Sequence, residues 1–376
     1  GQVVAQLGSS PHREQILPRS PQTQQALSRL RCDFVKRRPL AAPGPSARLG
    51  APSARRHIAM SWHGSRIGRD GMTRPRIVDP GATLALSRRT TRRHFLLHPD
   101  EAREMEQIYW YCLAHAAKLH GIVVHAACLM STHAHEVITD VRGVYPKFLE
   151  TLHRNLALCT KALRGWPEEV FNKRSTGVHA LLTPAAMVES IAYLIANPVE
   201  AGAVRYAKDW PGAHTRAADV GARVIRVKRP THYFRPDNPD WPDELELRLE
   251  MPAALQLDYG PELARARISE RVRAKQHQAW NKAKRTGIAF VGARRLLQLP
   301  HTKRAKSDEV FGSLNPQFAA AGNRGAATEA VKRLRAFKAQ YARAFAAWTA
   351  GDRSACFPVG TWWMRVCHGA RCGPGP

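Results

Sequence analysis

The stretch Ile122–Asp140, IVVHAACLMSTHAHEVITD, constrains the fold most. It reads as two β-strands of a hairpin, with the bend near Met130–Thr132. In a strand, residues i and i+2 point to the same face. His133 and His135 therefore leave the sheet together, while Ala134 points the other way. Two imidazoles on one strand face suit a single metal ion. A histidine pair on a strand is also an ordinary surface feature, so the choice rests on what else the chain brings to that face. His125 is in phase with the pair and reads as a surface or supporting residue.

The flanking segments alternate between the two periodicities. Ala82–Arg88 reads as a strand, and Arg92–His98 as a second strand or an extended connection. A helix follows Pro99, with Asp100 as N-cap and Gly121 as its stop. A second helix covers Pro146–Leu163, with Phe148, Leu149, Leu152, Leu156, Cys159 and Leu163 as its apolar stripe. Arg164–Arg174 is a loop or short strand, and Val178–Leu182 a short strand. Thr183-Pro184 opens a third helix, Ala185–Ala196, expected to end at Asn197-Pro198 because the residue before proline resists the α region. The order β, α, β, β, α, β, α implies an α+β fold, with helices on one face of an antiparallel sheet.

The third helix carries the deciding pattern. At about 100° per residue, Met187, Val188, Ile191, Leu194 and Ile195 form its core face. Tyr193 falls about 160° from the centre of that face, and Glu189 and Asn197 share its side. Asn197 reads equally as a helix stop and as an oxygen ligand. Two imidazoles with one or two oxygens hold a divalent ion with open positions, and such an ion polarises a phosphodiester. A tyrosine that loses its proton can attack that phosphorus and form a covalent phosphotyrosine.

These residues resemble the single-tyrosine HUH transposases, specifically the REP-associated tyrosine transposases. The resemblance rests on His133-Ala134-His135 after Cys128–Thr132, on Tyr193 with Asn197-Pro198 at i+4 and Ala201-Gly202 beyond, and on Trp210-Pro211-Gly212. Pro80-Gly81 with Arg88 and Arg89 is also similar to the family. It covers roughly residues 74–215. The resemblance implies a ferredoxin-like palm and a divalent ion, Mg²⁺ or Mn²⁺. It also implies cleavage of single-stranded DNA beside a hairpin through a 5′-phosphotyrosine link. Carried over, His133 and His135 are metal ligands, Asn197 is a further candidate ligand, and Tyr193 is the nucleophile. Relatives act as monomers or as dimers, so a homodimer is compatible. Two residues depart from the family pattern. Ala134 is small where a bulkier apolar residue is usual, and Glu136 follows where an apolar residue is usual. Glu136 is expected to point into the opposite layer, where a carboxylate needs a partner or solvent.

Charge supports a polyanionic partner: 58 Lys and Arg stand against 30 Asp and Glu, a net +28. DNA is the expected partner, and no stretch is long and apolar enough to expect a membrane partner. Scattered cysteines without a CxxC pair fit a reduced, cytoplasmic setting, nucleoid-associated if the bacterial resemblance holds. Residues 1–71, poor in large apolar side chains, are expected to be a disordered basic extension, with Met72 as a possible functional start. Residues 72–215 then form the catalytic domain, 216–252 a Pro- and aromatic-rich linker, and 253–376 a basic, mainly helical domain. Within 216–252, Arg223–Arg229 and Glu244–Glu250 read as strands, with Leu245, Leu247 and Leu249 on one face. Helix Glu262–Arg285 carries eight Lys or Arg against two Glu and is expected to lie along phosphates. Arg271, Arg273, Lys275, Lys282, Lys284 and Arg285 are its candidate DNA contacts, with Arg88 and Arg89 from the first strand. Thr328–Ala350 reads as a long helix capped by Thr328, followed by a strand carrying Trp362 and Trp363. The spacing of Cys356, Cys367 and Cys372 does not match a zinc finger. Two rival functions remain: a non-catalytic, domesticated nucleic-acid binder with the same fold, and a metal hydrolase of small phosphoesters, which the charge disfavours.

Overall fold

The computed structural model describes residues 75–171, 176–305 and 317–373. The expected N-terminal extension, 1–71, lies outside them. Strand β1, Ala82–Arg89, leads into helix α1, Glu104–His120. Asp100 acts as the expected N-terminal acceptor, but for a helix that starts later. Its two carboxylate oxygens accept the backbone N–H groups of Glu104 and Met105, at 2.8 and 3.0 Å. Gly121 ends the helix at φ 65°, the left-handed conformation that glycine adopts without penalty.

Strands β2, Ile122–Met130, and β3, His133–Asp140, pair antiparallel around the two-residue turn Ser131-Thr132. A bulge at His125 breaks the pairing between Val124 and Ala126. His125 is buried, not a surface residue, and is held by the Glu250 carbonyl and Thr139. Fully buried Asp140 then starts α2, Tyr145–Arg164, by accepting from the backbone of Val144 and Tyr145. Strand β4, Gly177–Leu181, follows, and then α3, Pro184–Glu200, capped by the Thr183 hydroxyl.

The four strands lie in the order β2-β3-β1-β4, all antiparallel. This is the ferredoxin-like order expected. The two crossover helices, α1 and α2, share one face and bury Leu84, Leu86, Ala134 and Ile138. Helix α3 covers the other face, over Cys128 and Val137. A short strand, β7 (Phe318–Ala319), extends the sheet beside β4 in parallel and makes it mixed.

Helix α3 corrects one expectation. It does not end at Asn197-Pro198 but runs to Glu200. Pro198 lacks only the N–H that would return to residue 194, and near the C-terminal end little ladder is lost. Buried Pro198 and Val199 stay packed, and Ala201 donates to the Asn197 carbonyl to complete the turn.

Residues 216–252 are not a linker. Strands β5, Val224–Lys228, and β6, Glu244–Arg248, form an antiparallel hairpin. Its apolar face, Ile225, Val227, Leu245 and Leu247, joins the core of α1, and Leu249 bridges to Val124 on the edge strand β2. Such cover protects a sheet edge from foreign strands. Helix α4, Ala253–Thr286, breaks at Gly260-Pro261 and packs Ala264, Ile268, Val272 and Ala279 with α3. A short α5, Ala293–Leu297, follows. Helix α6 spans Arg324–Thr349 and is capped by Asn323, not Thr328, because the helix begins a turn earlier than its apolar stripe. Trp362 and Trp363 lie at the start of a helix, α7 (Trp363–His368), rather than in a strand. Among the described residues, no helix is long and apolar enough to cross a membrane.

Candidate active site

Strand alternation sends His133 and His135 to the α3 face. Their ring centroids lie 4.6 Å apart with the planes nearly perpendicular. Arg89 stands directly opposite His133 in the β1–β3 register. Helix α3 crosses above and sets Tyr193 over His135, with ring centroids 5.7 Å apart, edge to face. Tyr193 is 42% exposed, whereas every residue of the expected core face is buried. Asn197, one turn further along, is buried and hydrogen-bonds the His133 side chain. Because α3 continues through Pro198, Asn197 is held by helix on both sides.

Burial lowers both imidazole pKa values, His133 well below its ordinary value and His135 to about 4, with Arg89 adding to both. Both rings are therefore neutral at pH 7, the form that coordinates metals. His135 hydrogen-bonds the backbone of Leu86. Its Nε2 is buried with no hydrogen-bond partner among the described residues. A buried polar atom without a partner costs roughly 1–3 kcal/mol, so this lone pair calls for a ligand. Two neutral imidazoles and a neighbouring amide oxygen fit a divalent ion with open positions. Among the described residues, no group of three or more His, Cys, Asp or Glu could hold a metal.

Helix α4 closes one side. Glu189 pairs with Arg271 and with Lys275, the latter at 3.5 Å. The Lys275 ammonium also stands 5.7 Å from the centre of the Tyr193 ring. The site opens into a cleft of about 700 Å³ lined by His133, Tyr193 and Asn197. Arg89, Arg93, Lys282, Lys303 and Arg304 face it, against one carboxylate, Glu200, among the described residues.

The expected DNA contacts divide by geometry. Arg89 and Lys282 line the cleft. Arg271 and Lys275 reach Glu189. On α4, Arg271, Lys275, Lys282 and Arg285 fall within about 80° of one another at helical spacing. Arg273 and Lys284 fall on the far side of that helix, roughly 150° away, and do not line this cleft. Arg88 is the clear correction. Alternation turns it to the α1–α2 face, against Phe171 at 5.4 Å, where burial lowers its pKa. Arg93, Lys303 and Arg304 were not expected. Arg93 follows β1 in a left-handed turn, and the His94–Arg304 bridge folds the 301–305 loop beside it. The Lys303-Arg304 pair was the available signal, but nothing local placed it near the histidines.

Glu136 points away from the histidines as expected and is 1% exposed. Its Oε1 accepts from the Tyr109 hydroxyl at 2.7 Å. Its Oε2 has no hydrogen-bond partner among the described residues.

No family model and no curated protein matches the sequence. Among solved structures, one similar chain is a REP-associated tyrosine transposase bound to a REP hairpin, at 18% identity and a TM-score of 0.33, covering 40% of this chain and 85% of that one. A second is a candidate transposase from Deinococcus radiodurans, at 19% identity and a TM-score of 0.22, covering 30% of this chain and 84% of that one.

Proposed function

We propose that this protein is a metal-dependent, single-tyrosine strand transferase acting on single-stranded DNA. The observation that carries the reading is Tyr193 set over His135, whose Nε2 lacks a partner among the described residues, with Tyr193 lining a cationic cleft. His133 and His135 would hold the ion, with the Asn197 side-chain oxygen as third donor. A bound divalent ion would polarise the scissile phosphodiester and offset its developing charge.

The chain's own residues do the rest. Arg89 and Lys282 draw the strand into the cleft. Tyr193 Oη gives its proton to water and attacks phosphorus. The Oη–P bond forms as the P–O3′ bond breaks, and the leaving O3′ takes a proton. The 5′ side stays joined to Tyr193 as a phosphodiester, so attack by a 3′-hydroxyl reverses the step without ATP. Lys275, beside the Tyr193 ring, places a positive charge where phenolate charge develops.

The test is incubation of the protein with a labelled single-stranded hairpin oligonucleotide and Mn²⁺. A denaturing gel should show a covalent adduct that Tyr193→Phe and chelation both remove. An adduct that persists without metal contradicts the mechanism. Binding with no adduct would mark a nucleic-acid binder that keeps the fold.

A further inference from the structure

The turn that follows α3 carries an aromatic cluster that the proposed chemistry does not use. Tyr206 is 40% exposed and meets Trp280 of α4 edge to face, with ring centroids 5.3 Å apart. His277, one turn earlier on α4, packs on Trp280 at 4.7 Å. Cations surround these rings. The Arg205 guanidinium lies 5.9 Å from the centre of Tyr206 and 5.7 Å from that of Trp280. The Lys208 ammonium is 5.8 Å from Tyr206. The turn is fixed to the helix at two points. Trp280 Nε1 donates to the Arg205 carbonyl at 2.7 Å, and the Ala207 N–H donates to Gln276 at 3.2 Å.

This platform lies between two basic clefts. On one side, Ala201–Ala203 and Lys282 line the Tyr193 cleft, and Arg205 and Trp280 follow within a turn. On the other, Tyr206 lines a groove of about 270 Å³ with Lys208, Arg216 and Arg273. A polar cleft of about 460 Å³ shares Lys208 and Arg216 and adds Arg103 and Arg223, beside Glu106 and Asp219. Rings flanked by cations are the general means of holding single-stranded nucleic acid, with bases stacking on rings and phosphates meeting cations. Half-exposed Tyr206 thus lies within reach of two cations. Arg273, turned away from the tyrosine cleft, gains a role here.

We propose that Tyr206 and Trp280 form a stacking platform for unpaired nucleobases of a DNA strand that leaves the Tyr193 cleft. Its phosphates then run on to Lys208, Arg216 and Arg273. The inference deepens the strand-transferase reading, but its test does not depend on chemistry at Tyr193.

The test compares binding by the full chain of a 12-nucleotide oligo(dT) with an abasic strand of the same length. The two carry the same phosphates and differ in bases. Wild type should bind oligo(dT) on the order of tenfold more tightly or better, as expected for one or two stacked bases. Tyr206→Ala should reduce that ratio severalfold, Tyr206→Phe should restore it, and Tyr206→Ala with Trp280→Ala should bring it close to one. Thermal melting of each variant checks that the fold is kept. An unchanged ratio in Tyr206→Ala, an equal loss for both strands, or wild-type binding that ignores bases or fails for both strands would overturn the platform. Adduct formation is measured separately on the hairpin. Loss of the adduct in wild type with base-dependent binding kept would refute the strand-transferase reading and leave the platform standing.

Discussion

Glu136 sits beside His135 in sequence and on the opposite face in space, and its carboxyl makes a sharp thermodynamic test of that face. Burial raises its pKa from the ordinary 4.5 to about 7, and the Tyr109 hydrogen bond only partly offsets this. Between those two values the folded state holds a proton that the unfolded chain has released. Stability therefore falls as pH rises from about 4.5 to about 7 and is flat above that range. A difference of roughly two and a half units corresponds to ~3 kcal/mol. The buried histidines act in the opposite direction. His125, His179 and His214 are lowered to about 4 and His153 to about 3, chiefly by burial. They are neutral when folded, so stability is lost as pH falls below the ordinary histidine value of about 6.5. Glu136→Gln removes the first effect and leaves the second. The amide still accepts from Tyr109, while its NH₂ replaces the unpartnered Oε2 at a cost independent of pH. Urea unfolding of both proteins at pH 5, 6, 7 and 8, in chelator, should show the variant gaining ~2.5 kcal/mol relative to wild type across the series. A difference that stays constant with pH would refute the buried, half-satisfied carboxyl.

Other outcomes follow from the same geometry. His135→Ala should abolish the Mn²⁺-induced rise in melting temperature expected of wild type, while changing metal-free stability by no more than about 1–2 kcal/mol, since only the hydrogen bond to the Leu86 backbone is lost and Nε2 has no partner among the described residues. Lys275→Met should slow adduct formation about tenfold at saturating DNA, ~1.4 kcal/mol of transition-state stabilisation, in a single-turnover assay. Asp140→Ala removes the acceptor for two backbone donors at the start of α2 and should lower stability by about 2 kcal/mol in urea. Replacing Lys303 or Arg304 with Ala should reduce the slope of log affinity against log salt by about 0.7 for a single-stranded oligonucleotide, read by fluorescence anisotropy.

The local signals carried much of the architecture. Period-two and period-3.6 patterns were sufficient for β1, the β2–β3 hairpin, α2 and β4, because each buries one regular face. They also separated Tyr193 from the core of α3, and the fold brings Tyr193, His133 and Asn197 to one cleft, with His135 against the Tyr193 ring. What failed depended on distant partners. Both strands of the β5–β6 hairpin were legible, but Pro and aromatic residues in the intervening loop made the segment read as a linker, and its contact with α1 leaves no local mark. His125 shares the face of Thr139 and the site histidines as its phase implied, but its burial comes from the distant Glu250 segment, which no alternation count could detect. Arg88 and Arg89 were grouped by charge, although adjacent strand residues face opposite layers. Lys303 and Arg304 reach the cleft through bonds of their loop to Arg93, His94 and Phe95, some two hundred residues upstream.

Helix α3 is enclosed on two sides, by the sheet that carries the histidines and by α4. Tyr193 thus has its height set by one layer and its lateral position by another that begins some sixty residues downstream in the chain. A fragment that stops at residue 215 would keep both histidines and the tyrosine. It would also leave the outer apolar side of α3 open to water and remove Lys275 and Lys282. The smallest autonomous unit of this protein is accordingly not the stretch that bears the motifs. Leu296 of α5 and Ala319 of β7 also join that apolar cluster, so a cut at Thr286 would open it again.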